Sequence, residues 1–490
     1  MELTTLVLVS AFVVLVSLWY ASRKKDRNPL PGPIGLPIVG YLPFMTTKPY
    51  IKFTKLVKRY GPIYSVRLGS RNVVILADFN VTKEAFASDA FMGRPPDLPF
   101  DLSETTKKTG AFLDMPWKEQ RRFSLHMLRD LGFGKTKMEE HLKEEIVELL
   151  ERMDQLEGKP TKMSNILAPS MSNNIASLLF GKRLKHDDPK RIKLDNMLSD
   201  VGKLAGATAW QLFFPFLNNI FEKFEIGNTG KLLHALREVR QYVRDELDEH
   251  EKTLDHNNIR DFMDGYLLEM EKKVNDPMTT FKRDVLVDLG RAFFGAGSET
   301  VRISVDWMLL ICAHFPEVQR KMYSEIQEVL GHERFPTRAD HLNMPYTEAV
   351  ILEMNRWKTI IPINLMRYTL QDTELNGYFI PKHSYVLSVI YAVHHDKKLW
   401  GADVEEFKPE RFLSEDRKKV VKPEFFIPFS IGKRQCPGKV FAEVEVFLYV
   451  AAILQRFEIS LPPGKQADLE GMLGIGLQPK RQDLVFKRRS

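Results

Sequence analysis

The sequence predicts a mainly α fold with a minor β part, an α+β chain built as one large domain. Three observations carry this. Apolar residues recur at helical spacing over Lys231–Lys252, Phe281–Ala313, Pro316–Leu330, Tyr346–Lys358 and Pro437–Arg456. Strand-like runs are few and short, at Ile63–Leu68, Val73–Ala77, Tyr378–Ile380 and Tyr385–Ile390. Only one Pro/Gly-rich stretch occurs, close to the N-terminus, so nothing divides residues 46–490 into separate domains.

Composition narrows the function classes. Lys and Arg number 71 against 64 Asp and Glu, a net +7 over 490 residues. That charge is too dilute to argue for nucleic acid, yet it leaves room for a basic face that meets an acidic partner. With 44% apolar and 28% charged residues, disorder and a fibrous class are excluded. Two cysteines, Cys312 and Cys436, exclude a disulfide scaffold.

Along the chain, Leu3–Ser22 carries no charge, and Trp19 and Tyr20 stand where an interfacial aromatic belt belongs. Twenty helical residues span roughly 30 Å, a bilayer core. Arg23, Lys24, Lys25 and Arg27 follow, which places the downstream chain in the cytosol. Residues 1–22 therefore read as an N-terminal transmembrane anchor and 23–45 as a basic, Pro-rich linker, stiffened by Pro29, Pro31, Pro33 and Pro37. The first two strands flank a Gly69–Asn72 turn. From Lys137 to Leu156 the spacing is helical, with the charges on a solvated face. Trp210–Leu217 is strongly apolar and aromatic, and reads equally as core or as a lid that dips into a membrane.

The strongest candidate for chemistry is Phe429-Ser-Ile-Gly432-Lys-Arg434-Gln-Cys436-Pro437-Gly438. Gly432 permits a tight turn, and Pro437 suits the first position of the following helix. Cys436 then sits at a helix N-terminus beside Lys433 and Arg434, where a thiolate is favoured. A lone thiolate makes a poor zinc site but a plausible axial ligand to haem iron. Cys312 reads as a small buried hydrophobe. In Gly295-Ala296-Gly297-Ser298-Glu299-Thr300, two mid-helix glycines cost about 1 kcal/mol each relative to alanine. Either a flat ligand or opened turn, or a close helix crossing, must offset that. The acid beside a hydroxyl suits proton delivery. Glu353 and Arg356 share one helical face, and Pro409-Glu410-Arg411-Phe412 could add a second arginine to form a buried network. Trp117 and Arg121 stand at i and i+4, able to bind carboxylates or merely to form an amphipathic face. His394-His395-Asp396 is a poor metal motif, because adjacent side chains point apart.

Together these residues resemble the cytochrome P450 family of haem-thiolate monooxygenases, from the anchor through the Cys loop. Phe91-Met-Gly-Arg94-Pro, Trp117–Phe123 and Leu128–Lys135 resemble the microsomal, family-2-like branch of animals. The resemblance implies the cytochrome P450 fold, with haem b between a long central helix and the Cys loop. It implies Cys436 as the proximal iron ligand and Arg94, Trp117, Arg121, Arg367 and Arg434 as contacts to the haem propionates. Thr300 and Glu299 become the pair that relays protons to dioxygen, and Glu353, Arg356 and Arg411 the ion network bracing the Cys loop. Val301 departs from the family, where a second Thr or Ser is common. Family placement puts Phe112, Leu113, Phe293, Ala296, Ile361–Leu365 and Leu473–Leu477 around a pocket for a lipophilic substrate: steroid, fatty acid, terpenoid or xenobiotic. No flavin or nicotinamide fingerprint is present, so electrons come from NADPH through a flavoprotein reductase, with a small b-type cytochrome as a further candidate donor. Lys433, Arg434 and Lys439 could form the basic face that meets it. The implied location is the endoplasmic reticulum membrane, with the catalytic domain on its cytosolic side. The competing readings are a haem-thiolate isomerase or dehydratase, for which a Glu299–Thr300 relay has no use, and a non-catalytic haem or lipid binder.

Overall fold

The computed structural model describes residues 28–96, 115–132 and 136–489, together with Thr5 and Ser10. The expected anchor, the pocket residues Phe112 and Leu113, and the end of the Leu128–Lys135 stretch lie outside the described residues. No helix among the described residues is long and apolar enough to cross a membrane.

Helix makes up 56% and strand 10%, so the chain is mainly α. The helices are α1 (Pro49–Tyr60), α2 (Phe79–Ala87), α3 (Met115–Asp130), α4 (Thr136–Asp154), α5 (Met163–Phe180), α6 (Pro189–Thr208), α7 (Pro215–Lys223) and α8 (Gly227–Thr253). They continue with α9 (Phe262–Lys272), α10 (Arg283–His314), α11 (Pro316–Leu330), α12 (Pro345–Lys358), α13 (Ile390–His394), α14 (Lys397–Trp400) and α15 (Lys439–Arg456). The main sheet runs β1 (Ile63–Leu68), β2 (Arg71–Leu76), β6 (Tyr385–Ser388), β3 (Arg367–Tyr368). The β1–β2 hairpin is tighter than expected, with β2 starting at Arg71; Gly69 takes φ +54° at the turn. β2 pairs in parallel with β6, Val73 opposite Tyr385, which joins chain segments three hundred residues apart. Small two-stranded sheets complete the set: β4 (Thr373–Leu375) with β5 (Tyr378–Ile380), β7 (Phe457–Ser460) with β10 (Val485–Arg488), and β8 (Met472–Leu473) with β9 (Leu477–Gln478).

Two helices contain stretches buried on every side and so pass through the centre. In α10, Trp307 through Cys312 are buried without a break, and in α15 so are Val444 through Leu454. Cys312 is fully enclosed and burial pushes its thiol up to about 12, an inert small hydrophobe. Gly297 brings α10 close to α5: a Cβ there would stand 3.0 Å from Ile175. The close-crossing explanation therefore holds for this glycine, while Gly295 faces Leu198 at an ordinary 3.7 Å. α4 buries Met138, Leu142, Ile146, Leu149 and Met153. Its charged face is solvated with one exception: Glu145 is buried against His186, Asn173 and Arg183.

Two stretches gain detail. From Pro31 the linker is joined to the body: Ser65 N–H donates to the Pro31 carbonyl, Tyr41 N–H to Arg67 and Gly69 N–H to Val39, so this stretch runs along β1. Trp210–Leu217 is not uniform core. Phe213 is buried, but Trp210 is 40% and Phe216 76% exposed.

Candidate active site

The Cys loop folds on itself before α15. Cys436 N–H donates to the Phe429 carbonyl at 3.0 Å and Gln435 N–H to Gly432 at 3.0 Å. Gly432 takes φ +76° against the Phe86 carbonyl, where any Cβ would collide. The helix that follows starts at Lys439 with Gly438 as its N-cap, so Pro437 is not its first residue and Cys436 lies ahead of the first turn. The reason is local: Pro437 and Gly438 are consumed in closing the loop. Burial pushes the Cys436 thiol up, and the Gly438 backbone amide and Arg121 oppose that by favouring the thiolate, with Glu443 acting the other way. The residue itself is exposed on one side.

Beside it the fold gathers arginines from four parts of the sequence. Arg121 of α3 donates to the Gln435 carbonyl at 2.6 Å. Arg434 stacks on Trp117, its guanidinium 3.7 Å from the ring centre. Arg94 donates to the carbonyls of Leu365 and Met366 at 2.6 and 2.7 Å. Arg367 is 0% exposed, and none of its three guanidinium nitrogens has a hydrogen-bond partner among the described residues; it lies over the Phe86 ring at 4.5 Å. Burial, with Arg94, Arg434 and Arg121 around it, pushes Arg367 down to about 7. A buried unpaired guanidinium is costly, so this cluster is built for an anionic ligand. Two carboxylates of a haem beside a cysteine sulfur answer both demands, and the residues present fit that group. Arg434 is thus buried behind Trp117 and does not belong to the basic surface expected with Lys433 and Lys439; Lys433 is exposed and paired with Asp89 at 2.7 Å.

On α10, Thr300 donates its hydroxyl to the Ala296 carbonyl at 2.8 Å. Its neighbour Glu299 is held elsewhere: Arg302 grips both carboxylate oxygens, at 2.5 and 2.9 Å, and also reaches Gln478 at 3.2 Å. The two side chains are adjacent in sequence but have different partners, since consecutive helical residues point about 100° apart. Ala296 is exposed, while Ile361 and Leu473 pack at the edge of the main core. Phe293 instead stands edge-on to Phe262, centroids 5.6 Å apart, in the second apolar cluster, and Leu365 is 52% exposed. Among the described residues, Leu473 packs against the first apolar cluster and Phe293 against the second.

Glu353, Arg356 and Arg411 do meet. Glu353 and Arg356 are both 0% exposed and bonded twice at 2.7 Å. Lys408 N–H donates to Glu353 at 2.9 Å; Arg411 Nε lies 3.4 Å from it, and Arg411 Nη1 donates to Asp403 at 2.7 Å. Burial pushes the Glu353 carboxyl up against the pull of these donors. Sequence reading passed over two residues here. His394 and Asn364 both bond the Cys loop, His394 at Ile427 and Asn364 at Ser430. The sequence marks His394 only as unsuited to metal, and Asn364 only as part of the Ile361–Leu365 stretch placed around the pocket.

A sulfur at the mouth of a tight loop beside an arginine nest defines a haem-thiolate protein. The chain belongs to the cytochrome P450 family, whose model matches residues 30–486. It is 34% identical over 497 residues to cytochrome P450 18a1 of Drosophila melanogaster, covering 98% of this chain and 90% of that one. Cytochrome P450 2E1 of Rattus norvegicus is 35% identical over 488 residues, covering 98% and 97%. Cytochrome P450 2J2 of Homo sapiens is 33% identical over 479 residues, covering 96% and 94%. The family makes this chain a monooxygenase and implies a haem-thiolate cofactor.

Proposed function

We propose that the chain inserts one atom of dioxygen into a lipophilic small molecule, the other leaving as water, with two electrons and two protons supplied. The observation that carries the site assignment is Arg367: a fully buried guanidinium with no hydrogen-bond partner among the described residues, surrounded by Arg94, Arg434 and Arg121, the last of which also acts on Cys436. When bound, haem supplies the oxygen-splitting and electron-accepting chemistry. The protein's part is positional. Cys436 would hold the haem iron, and its anion is favoured by the Gly438 amide and Arg121. Arg94, Arg121, Arg367 and Arg434, with Trp117 backing the last, would hold the propionates. Thr300 keeps its hydroxyl near the exposed Ala296 surface of α10, where it can pass a proton. Glu299 must exchange Arg302 for a proton source before it can recharge that hydroxyl.

Electrons arrive from an NADPH-dependent flavoprotein reductase that docks on the Cys-loop side, where Lys439 is the positive charge at the start of α15. A small b-type cytochrome is a second candidate donor. The location proposed is the endoplasmic reticulum membrane, anchored through residues 1–22. One observation supports a membrane-facing surface: the β1–β2 turn ties together two segments with exposed apolar side chains. Gly69 N–H bonds Val39 and Ser70 N–H bonds Phe213. Beside these stand Ile38 at 65% exposed, Phe44 at 44% and Phe216 at 76%. The substrate is a steroid, fatty acid, terpenoid or xenobiotic.

The test is reconstitution of the purified chain with reductase, NADPH and a lipophilic library, with product analysis. Hydroxylated product that depends on NADPH and dioxygen is expected. Turnover that needs neither would replace this reading with an isomerase or dehydratase.

A further inference from the structure

Between the buried ion pair on α12 and the Cys loop stands His394, the last residue of α13. It is 0% exposed and bonded at both ends. Its carbonyl accepts from Arg356 Nη1 at 2.9 Å, the guanidinium that Glu353 holds. Its ring reaches the other way. Ile427 N–H, an obligatory donor nine residues before Cys436, points at Nε2 at 3.1 Å. Nε2 must therefore accept, and the ring proton belongs on Nδ1. Nδ1 lies 3.0 Å from Thr359 Oγ1, which in turn donates to the Arg356 carbonyl at 2.6 Å. Every polar atom of the imidazole is thus committed, in one tautomer. Phe426 stacks on the ring at 5.6 Å and Trp400 meets it edge-on, which fixes its plane. Burial, then His395 and Arg356, hold its pKa well below the ordinary range, so it does not charge where the protein works.

The bond continues toward the sulfur. The Ile427 carbonyl accepts from Ser430 N–H at 2.9 Å, and Ser430 is the left-handed residue, φ +62°, that opens the loop. No carboxylate or guanidinium of the ion network is bonded to residues 427–438; among the described hydrogen bonds, the contact from the network to the loop runs through this ring.

We propose that His394 is a positioning residue for the Cys436 sulfur: a neutral, tautomer-locked imidazole that transfers the rigidity of the Glu353–Arg356 pair to the Cys loop through the Ile427 amide. This rests on Cys436 as the haem ligand, and goes beyond it by naming the connection that sets where the sulfur stands.

The test uses the full-length haem-loaded protein and three substitutions. His394→Gln places a carbonyl oxygen near the former Nε2 and can still accept from Ile427. His394→Asn can reach only Thr359, and His394→Ala reaches neither. Two quantities are read: hydrogen exchange at the Ile427 amide, and the fraction of reduced carbonyl complex with the red-shifted Soret band of sulfur ligation. In Ala and Asn the Ile427 amide should exchange about tenfold faster or more, the size of one buried hydrogen bond. The sulfur-ligated fraction should fall with it, and Gln should restore both. A merely space-filling role predicts that Gln and Asn behave alike, and that result overturns the proposal. So does faster Ile427 exchange with an unchanged sulfur-ligated fraction. Cys436→Ser is the control: if it leaves the band in place, the ligand assignment itself is wrong, whatever the His394 series shows.

Discussion

Replacing Glu353 by Gln keeps the shape and removes the charge at the centre of the α12 network. The carboxylate accepts two bonds from Arg356 at 2.7 Å and one from Lys408 N–H at 2.9 Å. A glutamine keeps one oxygen, but its amide nitrogen must face either a guanidinium N–H or the Lys408 N–H, donor against donor. Arg356, itself 0% exposed, loses the one carboxylate it pairs with among the described residues, whereas Arg411 keeps Asp403. Removing one partner of a buried pair costs roughly 3–5 kcal/mol, the range expected here. Native domains have only about 5–15 kcal/mol in hand, so the variant should be marginal and lose haem readily. Urea unfolding of the haem-loaded protein, followed by fluorescence and by the Soret band, measures this. The double variant Glu353→Leu with Arg356→Met removes both charges, and should recover part of the loss because no uncompensated ion remains. A Glu353→Gln penalty below about 1 kcal/mol would show the pair to be energetically idle, and the bracing argument with it.

Arg367→Met removes an unpaired buried charge from the propionate cluster. Haem should dissociate about 10–100-fold faster, the value of one or two charge-assisted bonds, measured by transfer to an apo-globin acceptor; an unchanged rate would remove Arg367 from the haem site. Thr300→Ala should keep the haem spectrum and divert electrons from product to hydrogen peroxide, read as product formed per NADPH; unchanged coupling would exclude Thr300 from proton delivery. Lys439→Glu should slow first-electron transfer at low salt more than substrate binding, by stopped-flow reduction; equal rates would exclude it from the docking face. Glu445 lies fully buried against Asn174 and burial pushes it up to about 8. Its folded pKa stands above its unfolded value, so the native state holds the extra proton and stability falls as pH rises from about 4.5 to 8, by up to about 1.4 kcal/mol per unit. Glu445→Gln should flatten that dependence in urea midpoints at pH 5 and pH 8; parallel curves would show that the carboxyl does not titrate in that window.

The sequence by itself determined the helices that are long or capped and the loop whose chemistry is local. Pro316–Leu330 and Tyr378–Ile380 fall where pattern put them, because helical and strand periods are properties of neighbouring residues. Cys436 and Gly432 were legible because a thiolate ligand and a left-handed turn each demand one residue type. Glu353 and Arg356 could be paired on one helical face, but the same spacing describes an ordinary surface bridge, and only their shared burial makes it a core element. The tertiary structure decided what depends on distant segments. Arg94, Arg121, Arg367 and Arg434 span more than three hundred positions, and no local rule says that four cations from so far apart converge. It separated Glu299 from Thr300 by supplying Arg302 as a partner, exposed Phe216 in a stretch whose apolarity fitted core and lid equally, and turned Phe293 toward Phe262. It also gave His394 and Asn364 their places against the Cys loop. A hydrogen bond between residues thirty or more positions apart leaves no period in the chain; it exists only once packing has brought a donor to an acceptor and excluded the water that would otherwise satisfy both.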